Sequence, residues 1–583
     1  MATLKKFKPY FSSLGILVFI APIFMILEVL CELIQPYLLQ LVIDRGIKNN
    51  DKTLIVELGA LMIFIAVVGV LLGILLGILN TYNSSKISTV FAMNLREGTF
   101  DKIQRLSFRN IDELSISNLI VVLTNDINQL QNFVMSGTRI LIRSPLLFIG
   151  SIILGIITAP RLSPIYLVII LAISTVLFLI IKKSYPLFYG AQQGLDDMNT
   201  TLKENFDGIM AVKSFVQENN EKEKFKGKSS NLAKLNTSTS RIVGTVLPIF
   251  LACINLGIVA ILWFGGKSAI NNVLPIGSLV AFINYLSQLL VALIIASLLF
   301  MNFTRAMVSA KRVENIMNAT SDVVFMNTSK NADDIRGDII FENVSFDYDE
   351  TDGFEEYALK DVNLHIKEGE FVGIIGATGS GKSTLVNLIP RFYDPTSGKV
   401  LLDGMDIRNY NEATLRKNIS IVLQSATLFS GTVKSNIVQG DLDAVEDDIT
   451  RAAKIAQAKE FIDRLPENYE SIVYQRGNNL SGGQKQRISI ARGLVGNPKI
   501  LILDDSTSAL DAKSESLVKK ALNRELKNTT TIMVAQKISS IIDADKIVLI
   551  DQGQILAVGS HEELMNNSVH YKNIYNTQLG EEA

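Results

Sequence analysis

Two runs in the second half of this 583-residue chain carry residue types that handle phosphate. The first is Gly376-Ala377-Thr378-Gly379-Ser380-Gly381-Lys382-Ser383, followed by Thr384, lying between the strand-like FVGII and a helical stretch. Glycines at this spacing let backbone N–H groups curl around phosphate oxygens, and the helix N-terminus adds favourable partial charge. Lys382 is expected to reach the β- and γ-phosphates of ATP, and the Ser383 hydroxyl to ligate Mg²⁺. The second run is LILDDS at 501–506. Its apolar residues read as a buried parallel strand that delivers Asp504 at its carboxyl end, where a carboxylate holds Mg²⁺ through water. Asp505 follows directly. Tyr348 precedes the phosphate loop in a polar turn, and an aromatic ring there can stack on adenine. The three histidines, His365, His561 and His570, have neither ligand spacing nor a catalytic neighbour and read as structural or solvated.

The elements that position these residues belong to a chain of two characters. Beyond about residue 335, apolar strands alternate with polar, glycine-containing turns, as in an α/β domain. Up to about 310, long apolar runs dominate and raise the mean hydropathy to +0.29. A membrane span needs about 20 apolar residues, and six runs qualify: 12–42, 55–80, 138–159, 163–182, 243–264 and 276–301. The first is too long for a cleaved signal and lacks a small-residue cleavage site. Lys86, Arg96, Lys102, Arg105 and Arg109 lie in the stretch 81–137, and Lys182, Lys183, Lys203, Lys213 and a cluster at 222–228 in the stretch 182–241. The turns near 160 and 268 carry only Arg161 and Lys267, although Arg45, Lys48 and Lys52 make the turn at 44–53 a mild exception. The positive-inside rule then puts both chain ends and the two long loops in the cytosol. Apolar residues at helical spacing within those loops predict helices continuing past the membrane, with tips near Arg109–Asn118 and Asp207–Ser214.

The formal net charge of −1 argues against nucleic-acid binding by bulk electrostatics. Cys31 and Cys253, both in apolar runs, read as small buried hydrophobes. Glu28 and Glu32 lie four apart on one face of the first span. Counted from Ser12 at 1.5 Å per residue, Glu28 sits roughly 24 Å along the helix. Carboxylates at such depth face a cavity or a partner. They could bond a neighbouring helix, or form an anionic patch that favours cationic substrates.

These motifs, with Leu480-Ser481-Gly482-Gly483-Gln484 about a hundred residues after the phosphate loop, resemble an ABC exporter half-transporter of the type IV, B-family kind. The resemblance spans nearly the whole chain. It implies an α-helical six-span transmembrane domain at 1–318 and a linker at 319–335. A cytosolic α/β P-loop ATP-binding cassette with a helical subdomain would fill 336–583. By resemblance Gln424 is the Q-loop glutamine that senses Mg²⁺, Ser508–Asp511 is the D-loop, and the two tips are coupling helices, the second gripping a partner's cassette. Arg476 and Gly477 fall in the loop before the signature, which departs from the common pattern at Gln475. The family sandwiches ATP between the phosphate loop of one cassette and the signature of the other. Ser481, Gly482, Gly483 and Gln484 would therefore serve a nucleotide bound to the partner.

Two positions depart from the family: Asp505 stands where Glu is usual, and Gln536 where His is usual. A general base must come within about 2.6–3.2 Å of the attacking water, and Asp is shorter than Glu by one methylene, about 1.5 Å. Neutral Gln536 can hydrogen-bond but cannot carry a proton. The pattern resembles the degenerate-site subunit of heterodimeric bacterial multidrug exporters, lodged in the cytoplasmic membrane beside a different half-transporter and acting on hydrophobic or cationic small molecules. A slow homodimeric exporter of lipid or peptide and a non-transporting ATP-gated regulator are the competing readings.

Overall fold

The computed structural model describes residues 6–14, 17–271, 273–325, 335–348 and 357–579. They form two compact units. One comprises the chain up to Lys102 with Ser117–Asn318; the other comprises Ile103–Ile116 with the chain from Ala319 onward.

In the first unit, six helical runs among the described residues are long and apolar enough to cross a membrane: Met25–Ile47, Lys52–Leu71, Ile116–Thr158, Pro160–Asp207, Glu218–Ile270 and Ile276–Ala296. The polar stretches 81–137 and 182–241 extend these helices rather than forming loops. The helix Lys52–Gln104 has 53 residues, about 80 Å at 1.5 Å per residue. That length is far beyond the roughly 30 Å of a hydrocarbon core. The tips are short helices, Phe108–Leu114 and Ile209–Ser214.

The helix Ile276–Asn318 packs against Ile127–Thr158 and Leu17–Leu41. Phe282, Tyr285, Leu286 and Leu289 are fully buried there, and the Tyr285 hydroxyl donates to the Leu33 carbonyl at 2.9 Å. A buried hydroxyl left unbonded would be destabilising. Fully buried Asp126 accepts from Arg312 Nε at 2.6 Å and from Ser309 Oγ at 2.8 Å. This is the pairing that a buried charge requires.

The first span departs from the sequence expectation in where its helix begins, while its two carboxylates bond a neighbouring helix, one of the two expected arrangements. Lys8–Leu14 is a 3₁₀ turn, residues 15–16 lie outside the described residues, and the helix begins at Leu17. Counting from Leu17 places Glu28 about 16 Å along this helix. Both carboxylates also meet a cation. Arg143, on the helix Ile127–Thr158, bonds Glu28 Oε1 through Nη1 and pairs with Glu32 Oε2 through Nη2 at 3.1 Å. Cys31 and Cys253 are free and half-buried rather than fully enclosed.

In the second unit a four-stranded antiparallel sheet runs Leu359–Ile366, Ile339–Phe346, Ser397–Leu402, Met405–Asp406. A six-stranded sheet runs Gln554–Gly559, Lys546–Asp551, Phe371–Ile375, Thr530–Val534, Ile500–Asp504, Ile419–Val422, and is parallel except for its first pair. Its central strands are covered on both faces; Ile500, Leu501, Ile502 and Leu503 are all fully buried. Burial on both faces explains their unbroken apolar sequence. Four neighbouring strands end at one edge of this sheet. The residues that follow them are the phosphate loop, Gln536, Asp505 and Gln424, so the sheet order alone collects them.

The tip helix Phe108–Leu114 packs within this second unit. The Phe108 ring lies 4.6 Å from Phe392 and 6.2 Å from Tyr393. Arg109 Nη2 donates to the Tyr348 carbonyl at 3.0 Å, and the Tyr393 hydroxyl donates to Asp112 Oδ2 at 3.3 Å. Of the expected linker, 319–325 is packed: Arg391 Nη2 donates to the Val324 carbonyl at 3.1 Å, and the Arg391 guanidinium sits 4.7 Å over the Phe325 ring. Residues 326–334 of that linker lie outside the described residues.

Candidate nucleotide site

The phosphate loop follows the buried strand Phe371–Ile375 and opens the helix Lys382–Leu388. Its glycines are sterically required. Gly381 has φ +99°, a left-handed conformation that L side chains avoid, and a Cβ on Gly376 would lie 2.0 Å from the Ile550 carbonyl oxygen. Lys382 Nζ donates to the carbonyls of Gly376 at 3.1 Å and Ala377 at 2.6 Å. Burial pushes its ammonium below the usual lysine range, while Asp504 and Asp505 oppose that shift. The Ser380 hydroxyl is buried with no partner among the described residues. A folded-back ammonium, an orphan hydroxyl and an open helix N-terminus form a donor set that fits a polyphosphate.

Ser383 Oγ donates to Asp504 Oδ1 at 3.0 Å. Burial raises the Asp504 carboxyl above the usual range, and the Ser383 bond works against that. Paired oxygen donors of this kind fit a hard divalent cation such as Mg²⁺. When bound, that ion would neutralise charge on the phosphates. Ser383 and Asp504 would hold it. Tyr348 is 45% exposed, its hydroxyl 3.2 Å from Thr384 Oγ1 and its ring edge-on to Phe346 and Tyr393. Ala377, Thr378 and Gly379 complete the loop.

Asp505 is the site's unexpected centre. Its backbone is left-handed, φ +47°, a conformation that Asp tolerates better than most residues. The N–H donates to the Val534 carbonyl at 3.0 Å, and the Ser508 hydroxyl donates to the Asp505 carbonyl at 2.8 Å. The side chain is held twice. Oδ2 accepts from Gln424 Nε2 at 2.9 Å and from Gln536 Nε2 at 2.8 Å. Burial pushes this carboxyl upward, and the two amides favour its ionised form. Gln424, expected at Mg²⁺, thus directs its amide to Asp505. Two neutral amides occupy one carboxylate oxygen, and neither can take up a proton.

The signature is an exposed helix start. Ser481 caps the helix Gly482–Leu494: its Oγ accepts from Gln484 N at 3.3 Å, and its own N–H donates to Gln484 Oε1 at 2.9 Å. This capping box fixes the entry of the helix. A Cβ added to Gly482 would meet nothing within 4 Å, and one added to Gly483 would touch the Ala509 carbonyl of the D-loop at 3.4 Å. Among the described residues, the hydrogen bonds of Ser481, Gly482, Gly483 and Gln484 stay within their own helix, so the end is free to address another molecule.

Sequence reasoning missed Arg143, Tyr393 and Gln578. Phe392-Tyr393 just before Asp394-Pro395 was a visible aromatic pair, but nothing local showed that Phe108 would pack on it. His365 Nε2 lies 2.8 Å from Asp338 Oδ1 and His561 Nδ1 lies 2.9 Å from the Tyr571 hydroxyl, both as structural contacts.

A family model described as ABC transporter transmembrane region matches residues 18–293, and one described as ABC transporter matches residues 359–508. YfiB of Bacillus subtilis (strain 168), named an uncharacterized ABC transporter ATP-binding protein, is 38% identical over 99% of this chain and 98% of its own length. YgaD of the same organism, named a putative multidrug export ATP-binding/permease protein, is 34% identical over 99% of this chain and 100% of its own. The solved structure of a bacterial Atm1-family ABC exporter with ATP bound shares the fold, with a TM-score of 0.83, 24% identity, and coverage of 97% of this chain and 99% of that one. With both regions matched in order and relatives aligned end to end, the chain belongs to the ABC transporter family, carrying a transmembrane region and an ATP-binding cassette on one polypeptide.

Proposed function

We propose that this chain is one half of a heterodimeric exporter of hydrophobic or amphipathic compounds. Its own ATP site would be degenerate, and its signature would complete the catalytic site of a different partner. The observation that carries this reading is Asp505 bound by two amides, beside a phosphate loop, Ser383 and Asp504 that keep their binding chemistry. The intact, open signature helix supports action in trans. A second support is the tip at Ile209–Ser214, where Phe206, Met210, Phe215 and Val216 are 67%, 78%, 74% and 78% exposed. An apolar group of that size marks a protein contact, here the partner's cassette. In this reading both chain ends and both tips face the cytosol, and the naming of YgaD as a putative multidrug export protein favours a multidrug substrate range.

The purified chain alone is expected to hydrolyse ATP far more slowly than the roughly 1–10³ s⁻¹ typical of enzymes. Co-expression with the product of a neighbouring half-transporter gene should yield a stable complex with ATPase activity and dye efflux. Turnover at enzyme-like rates by the isolated chain would favour the homodimer instead.

Arg143 decides which substitution isolates the effect of charge on substrate. Two carboxylates and one guanidinium leave the cluster with one net negative charge, and Glu32 is its more exposed acid, with a side chain 40% accessible against 26% for Glu28. Replacing both acids would leave Arg143 unpaired and reverse the charge. Glu32→Gln alone keeps the Glu28–Arg143 pair. It is expected to weaken efflux of a cationic dye about two- to fivefold, the scale of a partly screened charge contact, and to spare a neutral dye. Equal loss for both dyes would mark the cluster as structural.

A further inference from the structure

The helix Val569–Leu579 carries a stripe at one helical spacing: Tyr571, Ile574, Tyr575 and Gln578. Tyr571 is fully buried, and Ile574 and Tyr575 pack against the same core as Ile538 and Ile541. Gln578 ends this stripe, and its carboxamide meets backbone rather than side chains. Oε1 accepts from the Ile538 N–H at 2.8 Å, and Nε2 donates to the Gln536 carbonyl at 2.8 Å. Ile538 is itself buried at the start of a 3₁₀ turn. Both bonds therefore grip the loop that carries Gln536. From there the line continues through the Gln536 amide to Asp505 and on to Gln424. A carboxamide is suited to this grip because it offers one donor and one acceptor side by side.

We infer that Gln578 is a positioning residue for this chain's nucleotide site. The C-terminal helix holds the 536–538 loop so that Gln536 reaches Asp505, and in doing so slows nucleotide release. A loop already fixed at two backbone groups loses little freedom when nucleotide is held beneath it, whereas a free loop must be ordered at each binding event. The inference rests on the assignment of Asp505 and Gln536 to this site. It does not require the partner to be a different chain.

The test uses the full-length chain in lipid nanodiscs, loaded with a fluorescent ATP analogue and Mg²⁺ and chased with excess ATP. Gln578→Ala is expected to speed release about tenfold, the scale of two neutral hydrogen bonds. On a Gln536→Ala background the same change should alter release less than twofold, because the connection to Asp505 is already cut. Amide exchange at Ile538 should quicken with Gln578→Ala in both backgrounds. Gln578→Glu keeps the acceptor for Ile538 but loses the donor to Gln536, and serves should the alanine variant fail to fold; it should follow the alanine variant in release. Unchanged release, or equal acceleration in both backgrounds, would overturn the positioning role and leave a merely structural contact. Fast ATP turnover by the unaltered chain would instead end the degenerate-site reading, so the two failures are distinguishable.

Discussion

Ser481→Arg is expected to reduce ATP hydrolysis by the assembled transporter by about 10²–10³-fold, the cost of removing a preorganised donor from a developing charge. Nucleotide binding at this chain's own phosphate loop should survive. The residue sits at an exposed helix N-terminus, with its hydroxyl and backbone already paired to Gln484 in a capping box. Space beside Gly482 is open. The start of the helix is therefore rigid, unobstructed and positively polarised, which suits it to a γ-phosphate presented from outside the chain. Arginine there breaks the cap and projects bulk into the approach. The measurement is steady-state ATPase of the complex with its partner, alongside nucleotide binding to this chain. Full ATPase activity in the variant complex would show that the signature does not complete the partner's site.

The second large effect is a gain. Asp505→Glu combined with Gln536→His is expected to raise hydrolysis at this chain's own site by about 10²–10⁴-fold, the usual worth of general-base assistance. The structure shows why the pair must be changed together. Asp505 is not an idle short carboxylate; Gln424 and Gln536 both bind its Oδ2. Glutamate alone would extend the carboxylate by about 1.5 Å while the Gln536 amide still competed for it. Histidine at 536 removes that amide and restores a group able to carry a proton. The left-handed backbone at Asp505 tolerates glutamate less readily than aspartate, so a small loss of cassette stability should accompany the gain. Single-turnover hydrolysis in a complex whose partner site has been inactivated reads the result directly. Coupled transport need not rise with it. Absence of any gain would mean that the block lies outside these two side chains.

How much of this was legible beforehand divides along one physical line. Where a property is carried by contiguous residues, the sequence determined it. The glycines of 376–381, the apolar strand before Asp504, the Ser481 cap and the six apolar runs declare themselves because helix period, turn sterics and burial act over a few neighbours. The same locality made Asp505 and Gln536 visible as departures. What those departures do was decided elsewhere. Gln424 and Gln536 are 81 and 31 residues from Asp505, yet all three meet. They meet because the strands that precede them are neighbours in the sheet order, and that order follows from packing across the whole cassette. Arg143 stands 115 residues from Glu28. It joins Glu28 and Glu32 in a three-residue cluster, the neighbouring-helix alternative, because the helices Leu17–Leu41 and Ile127–Thr158 pack together. Gln578 reads as a polar residue near the end of the chain until the helix bearing it docks. Local chemistry names the groups that can act, but long-range packing settles which of them touch, because a contact between distant residues exists only once the intervening chain has folded.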